Sequence, residues 1–166
     1  MTSRKAILFA LFATIVLNAT AEEIRSTNVR VYSENKKYYA NISKKTNVVE
    51  VQIFEQGREF EEWSNWVDWE RGRIELVSDD GKYFVVINND YTDAVNLVTI
   101  YSRLKQEAYS VRSILIGREF LKNESGRLRW IADAARDVSF KYGTDSGAES
   151  MEIKIIDGRI LSIDLN

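Results

Sequence analysis

Three residue types are missing from this chain: cysteine, histidine and proline. Without histidine or cysteine there is no Ser-His-Asp or Cys-His nucleophile, and no site in which imidazole or thiolate holds a metal. Carboxylates are what remains for acid-base chemistry, so the composition leans away from an enzyme. No disulfide can supplement the core. The lack of proline removes proline-rich linkers and any proline-marked domain boundary. A basic excess is missing too: the formal net charge is −2. Such a balance argues against sequence-independent nucleic-acid binding, which needs a basic footprint.

Long apolar runs are also scarce, and the one that stands out lies at the start. Arg4 and Lys5 precede the apolar stretch Ala6 to Leu17, and Ala19-Thr20-Ala21 follows as a small-x-small cleavage site. This order predicts a signal peptide over residues 1–21 and a mature chain beginning near Glu22. The apolar stretch is shorter than the roughly 20 residues that a spanning helix needs. No stable membrane anchor is therefore expected after cleavage, and without cysteine there is no lipoprotein anchor. Without Arg4 and Lys5 the chain has 21 basic and 25 acidic residues, a net charge of −4. A cysteine-free exported chain points to a periplasmic or extracellular place in bacteria. Residues 22–166 are enough for a single domain with a real core. Asn41-Ile42-Ser43 and Asn123-Glu124-Ser125 match the glycosylation sequon and read as ordinary polar turns.

The pattern is clearest from Arg73 to Tyr101. Ser78-Asp79-Asp80-Gly81 carries the side-chain oxygens and the glycine of a tight turn between strands. Beyond it Tyr83, Val85 and Ile87 point one way and Phe84 and Val86 the other, so both faces of that strand are apolar. An inner strand is expected. After the polar turn Asn88 to Asp93, Leu97 to Tyr101 forms the next strand. Ser33 to Tyr39 aligns with Ser78 to Phe84 at an offset of 45 residues, giving a first copy with strands Val29–Tyr32, Lys37–Ile42 and Val48–Phe54. A third copy, about 55 residues on, runs from Leu128–Ile131 through a turn at Ala132–Ala135, then Val138–Tyr142 and Met151–Ile156. Asp157-Gly158 then closes a two-residue hairpin into Arg159–Leu165, whose Leu161, Ile163 and Leu165 alternate with polar residues.

The repeats thus span about residues 28–60, 73–116 and 127–166. Their offsets fit propeller blades of about 40 to 50 residues, yet propellers close with roughly four to eight. The expected fold is all-β and antiparallel, about three blade-like repeats in an open propeller-like array. A β-sandwich is the alternative, and chance similarity among alternating strands is the third reading. Ser78-Asp79-Asp80-Gly81-Lys82-Tyr83 before an apolar strand resembles the turn of WD-type and Tol-type β-propeller blades. In this respect the chain is similar to short exported bacterial proteins of unknown function with a few propeller-like repeats, a resemblance that implies no activity.

Candidate chemistry is concentrated in Glu55 to Arg71. Trp63, Trp66 and Trp69 are spaced by three, which on a short helix near Glu59 to Trp69 would place them on one slowly turning face beside Glu62, Asp68 and Glu70. Indoles stack on sugar faces and carboxylates accept hydroxyl hydrogen bonds, which gives a glycan site. Two carboxylates could act as the acid and base of a glycosidase. The plainer reading is that at least two of the three tryptophans fill the core between repeats. Asn88, Asp90 and Asp93, with Asn89 among them, crowd oxygens suited to calcium, though without EF-hand spacing; a solvated turn is the ordinary case. Arg118 to Asn123 reads as a helical turn, and Arg127 and Arg129 alternate with Leu128 and Trp130 as on a strand with one wet face. That face could meet an acidic partner. The function expected first is a non-enzymatic exported module that binds a protein or another envelope macromolecule, followed by glycan binding and then by a carboxylate glycosidase. No cofactor is expected, and the chain should be a monomer or a homodimer.

Overall fold

The computed structural model describes residues 28–45, 48–69, 73–91, 96–110, 121–144 and 147–165. The expected signal peptide lies outside them. Among the described residues the fold is all-β, with four antiparallel sheets. The first holds β1 (Val29–Tyr32), β2 (Tyr38–Lys45), β3 (Val48–Glu55) and β4 (Glu61–Val67), in sequence order. The second repeats that layout with β5 (Ile74–Val77), β6 (Tyr83–Ile87), β7 (Asn96–Ser102) and β8 (Gln106–Ser110). A small hairpin of β9 (Lys122–Glu124) and β10 (Arg127–Arg129) follows, then a short helix α1 (Ala134–Asp137). The last sheet has β11 (Val138–Tyr142), β12 (Ala148–Lys154) and β13 (Ile160–Asp164).

The second sheet lies in the middle of the stack, and its central strand explains why. Along β6 the side chains alternate between two cores: Phe84 and Val86, with Tyr101 of β7, pack among Ala40, Ile42, Val51, Ile53 and Trp63 of the first sheet. Val85 and Ile87 turn the other way, toward Met151, Ile153 and Ile163 of the last sheet. The apolar alternation on both faces is what demands two covering layers. Burying each such side chain contributes about 1.5–3 kcal/mol. The outward faces of the stack differ. On the last sheet the outer rows are Ser139, Glu152 and Ser162, then Lys141, Ser150 and Asp164. On the first, Tyr32, Tyr39 and Phe54 form a cross-strand row, with ring centroids 5.7 and 5.2 Å apart and the Arg30 guanidinium 5.2 Å from the Tyr39 ring.

The 45-residue repeat is reproduced bond for bond in two turns. In the first, Ser33 N–H donates to the Tyr38 carbonyl at 2.9 Å, Tyr38 N–H returns to Ser33 Oγ at 3.1 Å, and Ser33 Oγ donates to Asn35 Oδ1 at 2.9 Å. In the second, Ser78 N–H reaches the Tyr83 carbonyl at 3.1 Å, Tyr83 N–H reaches Ser78 Oγ at 3.0 Å, and Ser78 Oγ donates to Asp80 Oδ1 at 2.6 Å. Both turns place their fourth residue in the left-handed region, Lys36 at φ 60° and Gly81 at φ 70°. The turns also bond to each other. Asn35 N–H donates to Asp79 Oδ1 at 2.8 Å, Asp79 N–H to the Tyr142 hydroxyl at 2.7 Å, and Ala148 N–H to Asp80 Oδ2 at 2.9 Å. The first, second and last sheets are therefore pinned together at one end.

Several expectations need correction. Glu61–Val67 is a strand rather than a helix: Trp63, Asn65 and Val67 alternate with Ser64 and Trp66, and the strand completes the ladder of β3. The strands expected for the third copy pair differently. Val138–Tyr142 is the first strand of the last sheet, and Arg127–Arg129 pairs instead with Lys122–Glu124. Lys122 and Asn123 are thus in a strand, while residues 118–120 lie outside the described residues. Ser125 and Gly126, at φ 53° and 81°, form the two-residue loop of that hairpin, the geometry favoured by strand twist. At Asp157-Gly158 the loop has three residues, because Gly158 N–H returns to the Ile155 carbonyl at 2.9 Å while Ile155 N–H pairs with Arg159. The expected turn at Ala132–Ala135 runs into the helix Ala134–Asp137.

Candidate functional site

A cleft of about 360 Å³ opens between the first and second sheets, beside the pinned turns. Its floor is set by a glycine. At φ 70° Gly81 sits where L side chains rarely go, and a Cβ there would lie 2.4 Å from Tyr38 Cδ1, so the tyrosine ring rests directly on the turn backbone. Trp63 closes the side wall, its indole N–H donating to the Gly81 carbonyl at 2.7 Å. Tyr83 also lines the cleft, but its ring packs against the second core and its hydroxyl donates to the Leu165 carbonyl at 2.5 Å. Because the indole N–H is bonded to backbone, Trp63 offers the cleft mainly its face and edge.

The opposite lip is the tip of the hairpin joining β7 and β8. Ser102 N–H donates to the Lys105 carbonyl at 2.9 Å and Lys105 N–H to Ser102 Oγ at 3.2 Å, which holds Arg103-Leu104-Lys105 out over the cleft. Leu104 is 91% exposed. Lys82, Arg103 and Lys105 line the same opening. Two acids are near, and both are engaged. Glu62 pairs with Arg58 at 3.2 Å, and Asp80 lies 3.5 Å from the Lys82 ammonium. Burial pushes the Asp80 carboxyl upward. The Ser78 hydroxyl, the Ala148 and Lys82 amides and the Lys82 charge outweigh that push, leaving it below the usual aspartate value. Asp80 stays ionised and is a poor proton donor near neutrality.

The tryptophans do not form one platform. Trp63 is 7% exposed and faces the core; Trp66, one face over on the same strand, is 57% exposed. Trp69 is partly buried against the first core, with its indole N–H 2.6 Å from Glu75 Oε1. Burial raises the Glu75 carboxyl above its usual value, and the bond from Trp69 opposes that rise. Trp66, Asp68 and Trp69 instead share a separate groove of about 410 Å³ with Val48 and Gln106. The candidates Glu62 and Trp63 thus belong to the cleft, and Trp66, Asp68 and Trp69 to the groove. Glu70 lies outside the described residues.

The calcium candidates are placed differently again. Asp90 is held by two arginines, Arg127 at 3.1 Å and Arg129 at 2.7 Å, so a cation there would have to displace two guanidinium groups. The Asn88 side chain accepts the Asp90 N–H at 3.0 Å, and Asp93 lies outside the described residues. Asn89 does structural work: its Oδ1 accepts from Ile131 N–H at 2.9 Å and its Nδ2 donates to the Ile131 carbonyl at 3.1 Å. On the Arg127–Arg129 face both arginines lie beside Asp90 of this same chain, and Glu124 is 3.9 Å from Arg129. Among the described residues no cluster of three or more acidic side chains is arranged to hold a metal ion.

Tyr38, Tyr83 and the Arg103-Leu104-Lys105 tip were not singled out by sequence reasoning. A leucine between two basic residues in the polar break after Leu97–Tyr101 was the available signal for the tip. Comparison with family models, curated proteins and solved structures finds no match to the chain.

Proposed function

We propose that this chain is a non-enzymatic exported module whose stacked sheets hold a binding cleft for a protein or another macromolecule of the cell envelope. The observation that supports it best is the cleft of Tyr38 and Trp63 beside the exposed Leu104. An apolar side chain presented at a hairpin tip beside aromatic rings is the anatomy of a contact surface. The absence of histidine and cysteine, together with the engaged state of Glu62 and Asp80, supports binding over catalysis. We read the stack itself as an open propeller-like array, supported by the two equivalent turns and by a middle sheet covered on both faces. Photo-crosslinking tests the function: p-benzoylphenylalanine at position 104 should give a discrete adduct in cells, and the same probe at exposed Lys44 should not. No adduct at 104, or equal adducts at both sites, would reject it. Intact-mass measurement of the exported form tests the location, with a chain starting near Glu22 as the expected result.

A second reading is supported by the groove of Trp66, Trp69 and Asp68. There a largely exposed indole stands beside polar side chains, the arrangement used to stack on a sugar ring. Affinity electrophoresis in polysaccharide gels tests it. Retardation that is lost on Trp66→Ala would favour glycan binding over the cleft.

A further inference from the structure

We infer that the groove beside Trp66 and Trp69 is a second binding site, separate from the cleft, and that it takes a quaternary ammonium group of the trimethylammonium type. The groove holds about 410 Å³, within the range of roughly 300–1,000 Å³ usual for small-molecule sites. Its walls include two indoles and the side chains of Val48 and Val67, and Asp68 and Gln106 are the polar residues among the described ones that line it. The face of an indole carries the negative side of the ring quadrupole and attracts cations. Trp66 is largely exposed, whereas Trp69 is partly buried, with its N–H on Glu75 Oε1 at 2.6 Å. That bond holds the second ring in place, and a carboxylate on the N–H polarises the indole toward greater electron density.

The charge at this site has one sign. Among the described residues that line the groove, Asp68 alone is charged, and Arg73 is not one of them. The bonds of Asp68 run to its main chain: its N–H donates to the Tyr101 hydroxyl at 2.9 Å, and its carbonyl accepts from Arg73 Nη1 at 3.0 Å. Its carboxylate has no bonded partner among the described residues, in contrast to those of Asp80, Glu62 and Asp90. Two indoles and an unpaired carboxylate, on a chain of net charge −2, complement a cation. The kind of cation follows from the scarcity of acceptors. A lysine ammonium brings three N–H donors and a guanidinium five, and each donor left unbonded loses its hydration without replacement. A trimethylammonium group has no such donor, and its methyls pack on valine and indole. A sugar ring, the other candidate for this groove, would bring several hydroxyls to the same two polar side chains.

Titration of the full chain with choline chloride, followed by the indole N–H signals in nitrogen-edited NMR spectra, provides the test. The comparison ligands are dimethylbutanol, which is the uncharged isostere of choline, butylammonium and cellohexaose. Choline should give saturable shifts at Trp66 and Trp69 and none at Trp63 and Trp130. Trp66→Ala and Asp68→Asn, the former read at Trp69, should each weaken binding on the order of tenfold. Dimethylbutanol and butylammonium should bind more weakly by a similar factor. Both substituted residues are exposed, and unchanged urea midpoints would establish that the fold is intact. Absence of a saturable shift, equal binding of dimethylbutanol or butylammonium, or affinity indifferent to both substitutions overturns the inference. Shifts of the same two signals by cellohexaose but not by choline also overturn it and assign the groove to a glycan. Choline binding together with co-sedimentation on phosphatidylcholine vesicles supports the inference with a lipid headgroup as the source; choline binding without co-sedimentation supports it with a soluble source. Crosslinking from position 104 reports on the cleft alone, so failure of the groove site leaves the proposed function standing.

Discussion

At the residue scale, the two equivalent turns show how one position can be tolerant in one copy and intolerant in the next. Lys36 holds φ 60° in open solvent, whereas Gly81 holds φ 70° with the Tyr38 ring lying on it. Gly81→Ala meets both left-handed strain and the ring, and should cost about 2 to 4 kcal/mol. Gly126→Ala, at φ 81° with nothing near its Cβ, should cost about 1 kcal/mol. Urea midpoints measure both, and equal losses would disprove the role given to Tyr38. The tryptophans divide in the same way. Trp63→Ala should lose about 3 to 5 kcal/mol, because it empties a buried aromatic site, while Trp66→Ala should stay within about 0.5 kcal/mol. Spacing by three suggested one face because a helix was assumed. On a strand, neighbouring odd and even positions part company, so Trp63 and Val67 turn inward and Trp66 outward.

At the element scale, the joint between the second and last sheets is set by groups that titrate at opposite ends of the pH range. Asp80 is held below the usual aspartate value of about 3.9. Its contribution is therefore complete above that value and is lost as pH falls through the folded-state value. Asp80→Asn should be less stable at neutral pH, with a shallower acid limb in a plot of stability against pH. Tyr142 is pushed up to about 12, chiefly by burial, with the nearby charges of Asp79, Asp80 and Glu34 adding to the rise and the bond from Asp79 N–H opposing it. Its neutral form is favoured by folding. Stability should thus decline as pH rises from about 10 toward 12, and Tyr142→Phe should flatten that decline. An alkaline limb unchanged by the substitution would reject this assignment. The sandwiched character of β6 was legible in its own five residues, since nothing but local alternation was needed. The pairing of Arg127–Arg129 with Lys122–Glu124 rather than with the last sheet was not. It depends on Trp130 being fully buried with its indole N–H on the Asn88 carbonyl at 2.7 Å, a bond spanning 42 residues of sequence.

For the whole molecule, the middle sheet belongs to both cores, so neither core has a boundary at which it could come apart alone. Equilibrium unfolding should be a single transition, with far-ultraviolet circular dichroism and tryptophan emission coinciding. The two signals are independent enough to decide it: Trp63 and Trp69 report on the first core and Trp130 on the second. Separate midpoints would mean that the joints are weaker than their bonding suggests.

The covalent order of the sheets is also their order in space, with the first, second and last each stacked on the next in sequence. For a chain that emerges from its N-terminal end, this has a kinetic consequence. The inner face of the first sheet waits only for the next sheet to arrive. Phe84 and Val86 then find their partners at once, while Val85 and Ile87 stay uncovered until Met151 and Ile153 follow. Tyr83 to Ile87 is apolar and strand-forming, the kind of segment that pairs with copies of itself when left bare. Truncation before residue 148 should therefore raise the share of aggregate, measured by sedimentation, whereas a chain reaching Leu165 should escape that trap.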